Sequence, residues 1–144
     1  MRHFRTVHPD APKSVSAYAL PLGEAFQLRD DLLGVFGSPQ ITGKPALDDL
    51  REGKHTALVA LTLQHASRTQ ADHLHHILGC PTLTEEQAEE ARHIFTASGA
   101  RHAVEEMITT RHEQALTALA SAPLAPVAIQ ALTALAHTIV RRDS

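Results

Sequence analysis

Apolar residues recur at helical spacing along most of this chain, and glycine and proline mark the breaks between the runs. Leu22, Phe26, Leu28, Leu32, Leu33, Val35 and Phe36 predict a helix over 14–36, with Ser14 or Ser16 as its N-cap. Pro21 falls inside that span and predicts either a kink or the first turn of a second helix. Gly37, Pro39, Gly43, Pro45 and Gly53 predict a long loop over 37–53. Helical spacing returns over 54–67 through Leu58 and Leu61, and a short helix over 69–78 ends at Gly79-Cys80-Pro81. Thr84-Glu-Glu-Gln87 is a capping-box pattern that opens a helix to about Ser98. Gly99 separates it from another helix over 100–120, and Pro123 and Pro126 introduce the last. There Ile129, Leu132, Leu135 and Ile139 predict a buried stripe. Residues 1–13 are polar and aperiodic, a ragged lead-in to a helical domain over 14–144. With no strand-like alternation and no internal repeat, the expected fold class is all-α.

Composition narrows this picture. Hydrophobic residues make up 43% of the 144, mostly Ala and Leu, with Trp absent and a single Tyr, which favours packed helices over a sheet sandwich. A net charge of −3 and no basic run give no sign of a nucleic-acid or membrane-surface protein. One cysteine, Cys80, excludes an internal disulfide and every CxxC motif. No apolar run is long enough for a transmembrane helix, and the N-terminus lacks the apolar segment of a signal peptide. The expected compartment is therefore the cytoplasm.

The chemistry concentrates in Gly23-Glu-Ala-Phe-Gln-Leu-Arg-Asp-Asp31 and the loop that follows. With Gln27 at zero on a helical wheel, Asp31 falls at about 40° and Asp30 at about −60°. Apolar residues cover most of the remaining circumference, which places the helix deep in a bundle. Buried carboxylates need partners. Two readings of the pair are open. Either Asp30 and Asp31 face a polar cavity, a metal ion or a basic cluster, or they lie on a solvated face, paired locally with Arg29. The loop adds Lys44, Arg51 and Lys54, which can reach phosphate oxygens, and Gly43 and Gly53, which permit close backbone approach. An ordinary solvated loop carries the same residue types. A P-loop is excluded, because the Gly37–Gly43 spacing is too long and Pro45 stands where Ser or Thr must bind magnesium.

Taken together, Gly23, Phe26, Gln27, Asp30, Asp31, Phe36-Gly37, Pro39, Thr42-Gly43-Lys44-Pro45, Asp49-Leu50-Arg51, Gly53-Lys54 and Thr56 resemble the trans-isoprenyl diphosphate synthases of the geranylgeranyl and polyprenyl type. The match is to the family's second aspartate-rich region and its following loop. The resemblance implies an all-α helical bundle of the isoprenoid synthase type, represented by its C-terminal portion only. It implies prenyl transfer from an allylic diphosphate to isopentenyl diphosphate, with Mg²⁺ as cofactor. Asp30 and Asp31 would then serve the metal cluster, Gln27 would support it, and Lys44 and Lys54 would hold the diphosphate.

Two departures shape the expectation. Gly34 stands where the family's DDxxD motif ends in Asp, and the first aspartate-rich motif is absent from these residues. Asp48-Asp49 lies in the loop after the second motif and does not replace the first. The expected object is a half-site, inactive alone, whose partner is a missing N-terminal half or a synthase subunit in a homo- or hetero-oligomer. The alternatives are a non-catalytic relic or helical subunit and, further off, a terpene cyclase-like protein. Outside this region, His73, His75 and His76 cluster on one predicted helix, where a zinc site would need further ligands. Glu85, Glu86, Glu89 and Glu90 read as a solvated face, and Cys80 as a small buried residue.

Overall fold

The computed structural model describes residues 11–37 and 47–141. Seven helices occupy the described residues: α1 (Ala11–Phe36), α2 (Asp48–Glu52), α3 (Ala57–His65), α4 (Arg68–Ile77), α5 (Glu85–Ala97), α6 (Ala100–Ala120) and α7 (Pro126–Val140). No strand is present among them, so the all-α expectation holds.

Helix starts follow side-chain chemistry. Thr56, Ser67 and Thr84 sit in extended backbone and accept hydrogen bonds from the N–H groups of Val59, Gln70 and Gln87. Ser67 and Thr84 both complete capping boxes, the second at the predicted place. α7 opens with Pro126 in its first turn, where a missing N–H costs nothing.

Two boundaries differ from expectation, and one open alternative is decided. α1 is already helical at Ala11, so Ser14 and Ser16 lie inside the helix rather than at its N-cap. Of the two readings of Pro21, the start of a second helix is set aside, because α1 continues through it. The N–H that Pro21 lacks would have bonded the Ala17 carbonyl, and Ala17 is exposed, so water can take its place. Finally, the loop expected over 37–53 contains α2, a short helix anchored by Leu50, which is only 2% exposed.

The chain divides into two compact units. The first comprises residues up to Gln27 together with Ile108–Arg142. Its core is Tyr18, Leu22, Ala115, Leu119 and Ala136, with Ile129, Leu132 and Ile139 packed against it. The Tyr18 hydroxyl donates to the Leu132 carbonyl at 2.8 Å, tying α1 to α7. Leu135, expected in the buried stripe, is exposed, and Ala136 occupies the buried position instead. On a 100° wheel Leu135 falls at the margin of the stripe and Ala136 near its centre.

The second unit is Leu28–Met107. Leu32, Leu33, Leu58, Leu74, Ile77, Leu83, Phe95 and Val104 are buried there. α5 packs against α3 and α4. Phe36 meets Phe95 edge-on, with ring centroids 6.4 Å apart, and carries the Arg101 guanidinium 3.9 Å over its face. Arg92 Nε donates to the Val35 carbonyl at 2.6 Å, satisfying an end group of α1 with a cation.

Candidate functional site

The last turns of α1 are one-sided. Leu28, Leu32, Leu33 and Val35 are buried, Asp30 and Asp31 are half-buried, and Gln27, one turn earlier on the same helix, is exposed. Phe26, expected in the apolar cover, is instead 40% exposed. The carboxylate pair thus stands at the boundary between core and solvent, where ionised oxygens remain hydrated on one side. Arg29, at about 200° on the same wheel and so within the apolar arc rather than beside the carboxylates, forms a two-pronged pair with Glu105: NH1 to Oε2 at 3.0 Å and NH2 to Oε1 at 2.9 Å. A planar fork on a carboxylate fixes direction as well as distance, so this pair pins the rotation of α1 about its axis.

α2 brings a second set of groups to the same unit. Asp49 is nearly buried, its side chain 10% exposed, and its Oδ1 lies 3.3 Å from Lys54 Nζ. Lys54 is half-exposed, and its ammonium is held above the usual lysine range. The hydrogen bond to Asp49 is the largest cause, then the charge of Asp49; slight desolvation opposes them, and the charges of Glu52 and Asp30 add to them. Asp49 in turn packs against Gly34 of α1, one turn beyond Asp30, which puts Lys54 beside the acidic end of that helix. Lys44, Gly43 and the rest of residues 38–46 lie outside the described residues.

Arg51 corrects an expectation. Its Nε and NH2 donate to the Leu83 carbonyl at 3.1 and 2.8 Å, so it clamps α2 to the segment before α5 rather than offering itself to phosphate. A second clamp lies beside it. Gly53 ends α2 in the left-handed region at φ +68°, and the Gly79 N–H donates to the Leu50 carbonyl at 2.9 Å. A Cβ on Gly53 would meet the Gly79 backbone at 3.0 Å, so Gly53 must lack a side chain for the two segments to pass this closely, whereas a Cβ on Gly79 would meet Gly53 only at 3.9 Å, an ordinary contact.

Sequence reasoning missed the role of Gly34. This residue is buried inside α1, and a Cβ there would collide with the Asp49 carboxylate. The one available signal was the glycine itself: Gly inside a helix costs about 1 kcal/mol against Ala, so its presence asks for a packing reason.

Hard carboxylate oxygens such as those of Asp30 and Asp31 suit magnesium, which keeps several waters and shares phosphate oxygens. Among the described residues no group of three or more His, Cys, Asp or Glu is arranged to hold a metal ion. The pair fits magnesium on those terms alone, as one or two ligands to an ion otherwise coordinated by water and diphosphate.

The remaining candidates resolve simply. His73 Nε2 contacts Glu90 at 3.1 Å, and His75 and His76 are exposed. Glu85, Glu86, Glu89 and Glu90 are all exposed, with Arg92 reaching Glu85 and Glu89. Cys80 is half-buried rather than buried, its thiol 3.3 Å from the Thr82 hydroxyl, and hydrogen bonds from Thr82 lower its pKa. No described helix is long and apolar enough to cross a membrane.

Comparison with known proteins places these features. The family model for polyprenyl synthetase matches residues 1–95. The geranylfarnesyl diphosphate synthase of Aeropyrum pernix is 41% identical over 88 residues, covering 61% of this chain and 26% of that protein. The (2E,6E)-farnesyl diphosphate synthase of Mycobacterium tuberculosis is 34% identical over 141 residues, covering 93% of this chain and 39% of that protein. Among solved structures, the geranylgeranyl pyrophosphate synthase of Corynebacterium glutamicum, complexed with isoprenyl diphosphate and magnesium, superposes with a TM-score of 0.89 at 39% identity. The match covers 94% of this chain and 38% of that one. The chain thus spans between 26% and 39% of the length of these curated relatives.

Proposed function

Because this chain belongs to the polyprenyl synthetase family, we propose that it carries one of the two acidic half-sites for prenyl transfer, the half that receives the allylic diphosphate. The observation that carries this reading is geometric: the Asp49 carboxylate packs against Gly34, one turn beyond Asp30 on α1, and Lys54 Nζ lies 3.3 Å from that same carboxylate, so the lysine stands beside the acidic end of α1. An acidic pair beside a lysine suits a magnesium-bridged diphosphate, in which metal and ammonium each neutralise phosphate charge.

In this reading Asp30 and Asp31 hold magnesium, and Gln27, exposed one turn earlier, supports the metal-bound waters or the diphosphate by hydrogen bonding. Lys54 binds diphosphate oxygens, and so does Lys44 from the neighbouring loop. Magnesium, when bound, withdraws charge from the diphosphate and makes it a better leaving group. The chain's own groups orient that leaving group and screen its charge as the carbon–oxygen bond lengthens. The allylic carbon is then attacked by the double bond of isopentenyl diphosphate, and a proton is lost.

Turnover requires a second aspartate-rich helix, from whichever segment or chain supplies it, because two carboxylates cannot close the metal cluster. A partner synthase subunit or a second copy is the expected source. The alternative of a non-catalytic helical subunit draws on the apolar side chains of Leu20 and Val127, 70% and 73% exposed, which suit a partner surface.

Titration with a non-hydrolysable allylic diphosphate analogue, with and without Mg²⁺, tests the reading. Magnesium-dependent binding that Asp30→Ala abolishes is the expected result. Equal binding by wild type and Asp30→Ala, or none by either, would remove the diphosphate half-site and leave the subunit reading.

A further inference from the structure

Gly34 occupies the position at which the aspartate-rich motif would place its last acid, one turn beyond Asp30. The space above it is not empty. The Asp49 carboxylate lies so close that a Cβ on Gly34 would strike it. The same carboxylate contacts Lys54 Nζ at 3.3 Å. We propose that Gly34 is the seat of Asp49, and that Asp49 so seated is a positioning residue that aims Lys54 at the diphosphate.

The chemistry follows from three features. A lysine side chain has four rotatable carbons and a half-exposed position such as that of Lys54 does not fix its ammonium. Asp49 can fix it, because its own side chain is nearly buried and α2 is clamped at both flanks. Arg51 fastens α2 to the Leu83 carbonyl, and Gly79 donates to the Leu50 carbonyl. The place of the Asp49 carboxylate is then set by Gly34, since a side chain there must turn that carboxylate aside on a fixed α2 and so move the partner of Lys54. An acid supplied by a tertiary contact thus stands where the motif has none in sequence. Asp49 is not offered as a metal ligand; its Oδ1 is engaged by the lysine it places, and its Oδ2 is the atom seated over Gly34.

The diphosphate part of this proposal rests on the function proposed above, whereas the seat itself does not. Two measurements separate them. The first is a thermal-melt cycle of wild type, Gly34→Ala, Asp49→Ala and the double variant. Ala is the better helix former, so in an open position Gly34→Ala raises the melting temperature by a few degrees. The expected result is a lowered melting temperature in the wild-type background and a raised one in the Asp49→Ala background. The same sign in both backgrounds overturns the seat.

The second measurement is calorimetric binding of inorganic pyrophosphate in excess MgCl₂. Asp49→Asn, which keeps shape and removes charge, is expected to weaken binding about tenfold, the scale of one charge-assisted contact. Gly34→Asp combined with Asp49→Ala returns a carboxylate to the seat and is expected to bind more tightly than Asp49→Ala alone. Wild-type affinity in Asp49→Asn would overturn the positioning role even with the seat intact. A sign reversal in the melts with no pyrophosphate binding by wild type would support the seat and overturn the diphosphate reading.

Discussion

Replacing Gly53 with Ala tests whether the clamp on α2 is as tight as its geometry. The perturbation has two parts. Gly53 sits at φ +68°, where a side chain costs about 1–2 kcal/mol through contact with the neighbouring carbonyl. Its new Cβ would also meet the Gly79 Cα at 3.0 Å and N at 3.1 Å. Both are backbone atoms that cannot rotate away, so the segments must part. Parting stretches the Gly79 N–H to Leu50 C=O hydrogen bond of 2.9 Å, worth about 1 kcal/mol. The sum is a loss of about 2–3 kcal/mol. Gly99 supplies the control. It lies in the same unit at φ +86°, with open space where a methyl group would stand, so Gly99→Ala meets the backbone term alone, about 1–2 kcal/mol. The entropy that Ala removes from the unfolded chain is common to both and cancels. Urea unfolding at constant m-value reads the difference. Gly53→Ala is expected to be the more damaging by about 1 kcal/mol. If Gly99→Ala costs as much as Gly53→Ala, the close approach does not constrain the chain and the argument for a fixed α2 fails.

Three further outcomes are expected. Arg51→Ala strands the carbonyl of Leu83, whose residue is fully buried, and should lower stability by about 1.5–3 kcal/mol in urea unfolding; Arg51→Lys should recover less than half, because a lysine cannot present the two-pronged contact. Tyr18→Phe should cost about 1 kcal/mol through the lost bond to Leu132, and a neutral or stabilising result would show that this α1–α7 tie carries no weight. His112 is held below the usual histidine pKa of 6.5, first by burial and then by the charges of His137 and Arg141, with Glu113 opposing. The folded state therefore binds the proton less readily than the unfolded state: stability is full above about pH 6.5 and falls as pH drops from there through the lowered folded value. His112→Phe should flatten that acid slope in pH-dependent melts, and an unchanged slope would assign it to other groups.

The unsatisfied Nε2 of His112 fits the same picture. That nitrogen is buried and has no hydrogen-bond partner among the described residues, and its ring lies edge-on to His137 with centroids 4.9 Å apart. A ring so placed is stable while neutral and is opposed by its surroundings when charged.

Much of this protein was legible along the chain, because the signals act over one or two helical turns. The Thr84 capping box, the break at Gly99 and the proline before α7 concern backbone groups within a few residues of each other. The acidic face of Asp30 and Asp31 likewise follows from helical spacing alone, whereas residue types in the loop after it left a solvated surface equally open, and only the resemblance to a family implied diphosphate chemistry. Family membership was legible for the same reason, since one contiguous stretch carries the motif. What tertiary structure decided are the contacts that helical periodicity cannot encode. Arg51 looked like a phosphate ligand by charge, and became a clamp because Leu83, 32 positions away, presents a buried carbonyl to it. Pro21 left a kinked helix and a second helix both open along the sequence; α1 continues through it, with Tyr18 and Leu22 on either side packed in the core against the missing hydrogen bond. Gly34 looked like a lost acid. Only the approach of α2 shows that its missing side chain makes room for another, since steric exclusion between segments depends on where the fold brings them.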